Sequence, residues 1–245
     1  LVDAYGTPAS GTYGDRNAFS INYSGPTNYR VATGGVNSIT FTNNTVNGSA
    51  PTSFFRAGVA VDEGGGSFTG NTLQTINHDL LVRFGSNGPV TISNNNFNGG
   101  GVELSDQNAG AGTITVTNNT FNGTFAISSA PGSAILRVRN NYNGITHNIS
   151  NNTFNAYDWA VSLENMNNIT LNANTFNTSV ANAHAIVVNT KSISTNSNTI
   201  VQVPVAGTFT NNNFNGTGNA FTFANHDNDN AAFGTFTLGT AGNEN

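Results

Sequence analysis

The sequence predicts an all-β fold, a parallel β-solenoid of about eight or nine coils, and three observations carry that prediction. A short phrase recurs along the 245 residues, a second apolar segment of period two falls between its copies, and the composition disfavours helices. Glu, Lys and Leu, the stock of helical bundles, are scarce, while Asn numbers 45, Thr 32 and Gly 28. Only 8% of residues are charged against roughly 25% in an average soluble domain, yet 36% are hydrophobic and 17 are Phe. That is core material which a disordered chain lacks.

The phrase reads apolar, Thr, apolar, Thr or Ser, Asn-Asn-Thr, apolar, Asn-Gly. Its copies are ITFTNNTVNG from Ile39, SFTGNTL from Ser67, VTISNNNFNG from Val90, ITVTNNTFNG from Ile114, NISNNTFNA from Asn148, ITLNANTFNT from Ile169, ISTNSNTI from Ile193 and TFTNNNFNG from Thr208. The apolar residue after the Asn cluster falls at Val46, Leu73, Phe97, Phe121, Phe154, Phe176, Ile200 and Phe214. Several steps are 22, 24 or 27 residues; a step of 33 before Phe154 and one of 14 before Phe214 mark an insertion and an irregular turn. Between phrases lie GVAVDEG near Val61, LLVRFG near Val82, GVELSD near Leu104, FAISS near Ile127, WAVSLEN near Leu163, AIVVN near Val188 and AFTFAN near Phe223. Two or three short strands per 22 to 24 residues cannot close a sandwich alone, but they form one coil that stacks on the next at about 4.8 Å.

In ITVTNNTF, alternation turns Ile114 and Val116 inward and Thr115 and Thr117 outward. The pair Asn118 and Asn119 turns the corner, because Asn tolerates left-handed backbone angles and its amide can bond the same amide in the coils above and below. The ladder is expected at Asn43, Asn94, Asn118, Asn151 and Asn211, with Phe97, Phe121, Phe154, Phe176 and Phe214 re-entering the core beside it. Residues 1–36 lack the phrase and are expected to cap the N-terminal end, leaving 37–245 as the solenoid. After GTFTLGT, from Gly234 to Thr240, only AGNEN follows, so the last coil is expected to stay uncovered and to meet another copy head to tail, which propagates into a filament.

From roughly Val36 to Leu238, these NNTF-type corners and asparagine ladders resemble the right-handed parallel β-helix proteins of the pectate-lyase-like superfamily, in particular bacterial parallel β-helix repeat proteins. The resemblance implies a right-handed coil. It implies no single activity, since that superfamily holds polysaccharide lyases, hydrolases, epimerases, tailspikes and non-catalytic adhesins.

Its enzymes work with clustered carboxylates, often with calcium, and a basic residue. The candidates here are Asp62, Glu63, Asp79, Arg83, Glu103 and Asp106, of which Arg83 and Glu103 align at outward positions on successive coils. A surface ion pair is the plainer reading of those two. His78, His147, His184 and His226 lack metal-ligand or triad spacing. The oxygen-rich loop at Asp227 and Asp229 fails as an EF-hand, with Ala232 and Leu238 where Gly and Glu belong, and reads as a solvated loop or a weak Ca²⁺ site. No catalytic residue, metal site or cofactor is expected. Tyr157 and Trp159, with Arg83 and Glu103, are the candidates for contact with a surface glycan. The Thr-X-Thr face resembles the water-ordering surface of ice-binding solenoids, although β-propensity and cross-coil hydroxyl bonds explain it as well.

A net charge of -5 with 7 Lys and Arg argues against nucleic acid. No run of about 18 apolar residues argues for membrane insertion. With no Cys there is neither a disulfide framework nor a thiolate site. A chain that opens at Leu1, poor in Lys and Arg and rich in Asn, Thr, Gly and Ser, is expected to be a processed segment of an extracellular or bacterial cell-surface protein of structural or adhesive role. A polysaccharide-binding or polysaccharide-degrading protein is the alternative.

Overall fold

The structure, a computed structural model, describes residues 31–34, 38–47, 57–62, 65–74, 78–83, 89–99, 101–105, 112–123, 134–139, 145–156, 158–164, 166–189, 205–224 and 233–239. These hold strands and turns and no helix, and the strands form three sheets. The first sheet stacks β1 (Val31–Gly34), β4 (Ala57–Asp62), β7 (His78–Arg83), β10 (Val102–Ser105), β13 (Leu136–Arg139), β16 (Trp159–Glu164), β19 (His184–Asn189) and β22 (Asn219–Ala224). The second stacks β2 (Ser38–Thr42), β5 (Gly65–Thr69), β8 (Val90–Ser93), β11 (Gly112–Thr117), β14 (Ile145–Ser150), β17 (Ile169–Asn172), β20 (Val205–Thr210) and β23 (Phe233–Leu238). The third stacks β3 (Thr45–Asn47), β6 (Thr72–Gln74), β9 (Asn96–Asn98), β12 (Thr120–Asn122), β15 (Thr153–Ala156), β18 (Thr175–Thr178) and β21 (Asn213–Gly216). The chain visits the sheets in unchanging rotation, and every return adds a parallel strand beside its predecessor. This all-β, parallel arrangement is compatible with a β-helix.

Alternation within each strand builds the core. Val90 and Ile92, Ile114 and Val116, and Ile169 and Leu171 are buried from the second sheet, with Thr neighbours half exposed between them. The third sheet contributes one ring per coil. Phe97, Phe121, Phe154, Phe176 and Phe214 stack face to face with centroids 4.7 to 5.1 Å apart and planes within 22° of parallel. That spacing is the strand spacing itself, so sheet register places each ring on the next. Below Phe97 the column continues as Leu73, whose register partner it is.

Two expectations about the repeat change. The first-sheet strand between β10 and β16 is Leu136–Arg139, where the sequence pattern put FAISS. Its alternation, Leu and Val inward with Arg between them, matches Val102 and Leu104 of β10 as well as it matches a corner phrase. FAISS, assigned to that place, lies outside the described residues. β18 pairs directly with β21, so Phe176 and Phe214 are adjacent in the third sheet, and ISTNSNTI, expected as a further copy of the phrase between them, lies outside the described residues. In addition, β1 pairs with β4, so among the described residues the first sheet begins at Val31, inside the stretch 1–36 expected as a cap; residues 1–30 lie outside the described ones.

Candidate functional site

The corner divides its labour between the two Asn residues. Asn43, Asn94, Asn118, Asn151 and Asn211, the expected ladder, take φ of 56° to 57°, the left-handed conformation that Asn accepts more readily than other side-chain-bearing residues. The inward ladder belongs to the residue after each corner position, which Gly70 and Ala173 fill in two copies: half-buried Asn44 and buried Asn71, Asn95, Asn119, Asn152, Asn174 and Asn212. The reason is geometric, since the left-handed turn carries the first side chain out to solvent and the strand that resumes after it carries the second inward. Each Nδ2 from Asn44 to Asn174 donates to the Oδ1 one coil later at 2.9 to 3.2 Å, and the same oxygen accepts the backbone N–H of that same donating Asn. From Asn71 onward, the second amide hydrogen goes back to a carbonyl of the previous coil, as from Asn119 to Ile92 O at 2.9 Å. Burying these amides is tolerable because their donors are spoken for.

A second ladder runs along the far end of the third sheet. Asn122 Nδ2 donates to Asn98 Oδ1, Asn155 to Asn122, Asn177 to Asn155 and Asn215 to Asn177, at 2.7 to 3.1 Å. Its donors point back toward earlier coils, opposite to the buried ladder. The Asn before Gly in the phrase was its signal in the sequence. An open groove of about 410 Å³ lies beside it, lined by Asn155, Asn177, Asn215 and Gly216 among others.

The charged candidates resolve differently from the expectation. Glu103 is 4% exposed and no surface residue; its register partners are Leu81 and Arg137, while Arg83 pairs with Asp62 and Ser105. Arg137 Nη1 lies 3.8 Å from Glu103 Oε2. Arg137 also grips the fully buried Glu164 with two bonds, Nε to Oε1 at 2.8 Å and Nη2 to Oε2 at 2.9 Å. Ser162 Oγ donates to Glu164 at 3.1 Å, and Asn189 Nδ2 lies 3.5 Å from Ser162 Oγ. Burial alone would lower the Arg137 guanidinium, but its bonds to Glu164 and the charges of Glu164 and Glu103 outweigh that and raise it above its ordinary value. These side chains occupy the face of the first sheet opposite to the core columns, and β16 and β19 are buried on both faces. The alternation in LRVR, Leu-Arg-Val-Arg against Val-Glu-Leu-Ser, was the signal that could have aligned Arg137 with Glu103.

Of the aromatic pair, Tyr157 lies outside the described residues. Trp159 is half-buried at the start of β16 and meets the His184 ring edge-on, with centroids 5.7 Å apart. His184 Nδ1 lies 2.7 Å from Thr222 Oγ1, and its backbone N–H donates to Asp158 O. Burial raises the Asp158 carboxyl above its ordinary range, opposed by the charge of His184. Trp159 and Glu103 thus belong to separate clusters. Asp227 and Asp229 lie outside the described residues, and among the described residues no group of three His, Cys, Asp or Glu could hold a metal ion.

The outward face of the second sheet carries two ranks of hydroxyls in register. One runs Thr40, Ser67, Thr91, Thr115, Asn148, Thr170, Thr208 and Thr237; the other Thr42, Thr69, Ser93, Thr117, Ser150, Asn172 and Thr210. Cross-coil bonds tie the second rank, from Thr69 to Ser93 at 3.2 Å and from Ser150 to Thr117 at 3.3 Å. An open groove of about 540 Å³ crosses this face at Thr170, Thr208 and Thr237.

The C-terminal end is the one place where large apolar side chains of the described residues meet solvent. Phe223, Phe233 and Leu238 are 44%, 38% and 50% exposed. Their register partners one coil earlier, Val188, Val205 and Phe209, are buried completely. Among the described residues the three are therefore the last members of inward columns, a cross-section of the core with no further described coil over it. Phe223 and Phe233 meet edge to face at 5.6 Å, and both meet Phe236. Comparison with family models, with curated proteins and with solved structures gives no match.

Proposed function

We propose that this chain is a right-handed parallel β-helix that serves as a non-catalytic structural or adhesive module outside a bacterial cell and associates head to tail with copies of itself. The exposed core section at Phe223, Phe233 and Leu238 is the observation that carries this reading. β21, β22 and β23 are the terminal strands of their sheets, and open strand edges beside an apolar slice invite another strand. An added strand that continues the phrase must run parallel, which the first coil of a second copy does and a two-fold related C-terminal end does not. The contact is heterologous and propagates as a filament. The polar side chains support the same reading. Buried amides satisfy one another, and Arg137 is committed to Glu164, so they hold the coil together. Light scattering over a concentration series, with electron micrographs, tests the proposal. Growing mass and fibres that are lost in Phe223→Asp support it; a monomer at every concentration without fibres overturns it.

The hydroxyl ranks favour a second reading, recognition of ordered water. Two rows held in register over most of one sheet form a regular array. Thermal hysteresis that disappears on Thr115→Tyr would establish it, and none from the unmodified chain would dismiss it. A panel of uronate and neutral glycans tests the polysaccharide alternative, for which Trp159 is the described aromatic candidate.

A further inference from the structure

We infer that Asn215–Gly216 is a built-in deamidation site, set apart from the matching Asn-Gly steps by its place at the open end of the third sheet. The same dipeptide occurs at Asn98–Gly99 and Asn122–Gly123, where register equates the three Asn positions through Asn155 and Asn177. Gly99 and Gly216 share an unusual backbone, with φ of 120° and 128°. In the interior coils the Gly N–H is tied down, Gly99 N–H to Asn122 O and Gly123 N–H to Asn155 O, both at 2.9 Å. Those bonds reach forward to the following coil. No strand follows β21 in the third sheet, so among the described residues nothing occupies the place where Gly216 N–H would find its acceptor.

The carboxamides differ in the same way. Asn122 is held on both sides, donating to Asn98 at 2.8 Å and accepting from Asn155 at 2.7 Å. Asn215 is exposed, and its carboxamide is held among the described residues only through its donation to Asn177 at 3.1 Å.

The reaction needs only water. Gly216 nitrogen, once deprotonated, attacks Asn215 Cγ; the new C–N bond forms as the carboxamide C–N bond breaks and ammonia leaves with the displaced proton. Water then opens the cyclic imide at either carbonyl and leaves aspartate or isoaspartate at position 215. A carboxylate cannot donate to Asn177 Oδ1, so the last rung of the second ladder opens and a negative charge appears beside the apolar end. On the stacking reading above, that charge weakens head-to-tail association, and the site limits the lifetime of the adhesive end.

Peptide mapping by mass spectrometry during incubation at mildly alkaline pH tests the inference without reference to association. In the folded chain, Asn215 should deamidate at least about tenfold faster than Asn98 and Asn122, and the three rates should converge in denaturant, as protection by native hydrogen bonds requires. Asn215→Gln should remove the fast phase. Equal rates at the three sites in the folded chain, or a slower one at Asn215, overturn it. Light scattering of Asn215→Asp separately reads the effect on stacking, so the peptide map still decides the site if the stacking reading fails.

Discussion

At the level of single residues, the corner assigns opposite demands to neighbouring Asn side chains. Asn119 answers for two donors of Asn95 and sends its own hydrogens to Asn152 Oδ1 and Ile92 O. Asn119→Ala strands those buried groups, and since each unpaired one costs about 1–3 kcal/mol, a loss of roughly 3 kcal/mol or more is expected in urea unfolding. Asn118→Ala loses only the left-handed preference, about 1 kcal/mol, and Asn118→Gly close to nothing. Ala173 supplies the converse. It holds the corner place with φ of 55°, where the other copies have Asn or Gly, so Ala173→Asn should raise stability by about 1 kcal/mol. A destabilised Ala173→Asn would contradict this account of the corner. The phrase made the pair legible, but not which member turned inward; that depends on a backbone angle that both Asn residues can adopt.

Among the strands, the third sheet was the most legible because its single inward position per coil is nearly always Phe, and Phe is seldom left outside. Phe121 lies between Phe97 and Phe154, and Phe121→Ala should cost about 3–5 kcal/mol, since close-packed rings on both sides cannot collapse into the void. The first sheet was least legible. Its strands share apolar alternation without a corner phrase, so Leu136–Arg139 could be placed in either sheet, and the approach of Arg137 to Glu103 was not legible. The cluster yields its own test. Arg137→Met takes from the fully buried Glu164 the guanidinium that bonds both its carboxylate oxygens, an expected loss of about 3–5 kcal/mol, and the pair Arg137→Met with Glu164→Leu should recover most of it. Equal stability of Arg137→Met and the unmodified chain would mean that the ion pair holds nothing in place.

For the molecule as a whole, the repeat foretold parallel strands in stacked coils, while the function rests on how the stack ends. Exposure of Phe223, Phe233 and Leu238 is not written in their own phrases, which resemble the buried ones; it goes with their place on the last described strands of the first and second sheets. Absence of Cys from the chain makes the proposed contact directly testable. Thr237 ends the hydroxyl rank that Thr40 begins, so direct continuation from one copy to the next brings these positions together at about the 4.8 Å spacing of adjacent strands, within disulfide reach. Under mild oxidation, the chain carrying both Thr40→Cys and Thr237→Cys should form a covalent series of multimers, while either substitution alone leaves monomers. Dimers from Thr237→Cys alone, or monomers from the double variant at high concentration, would contradict head-to-tail stacking.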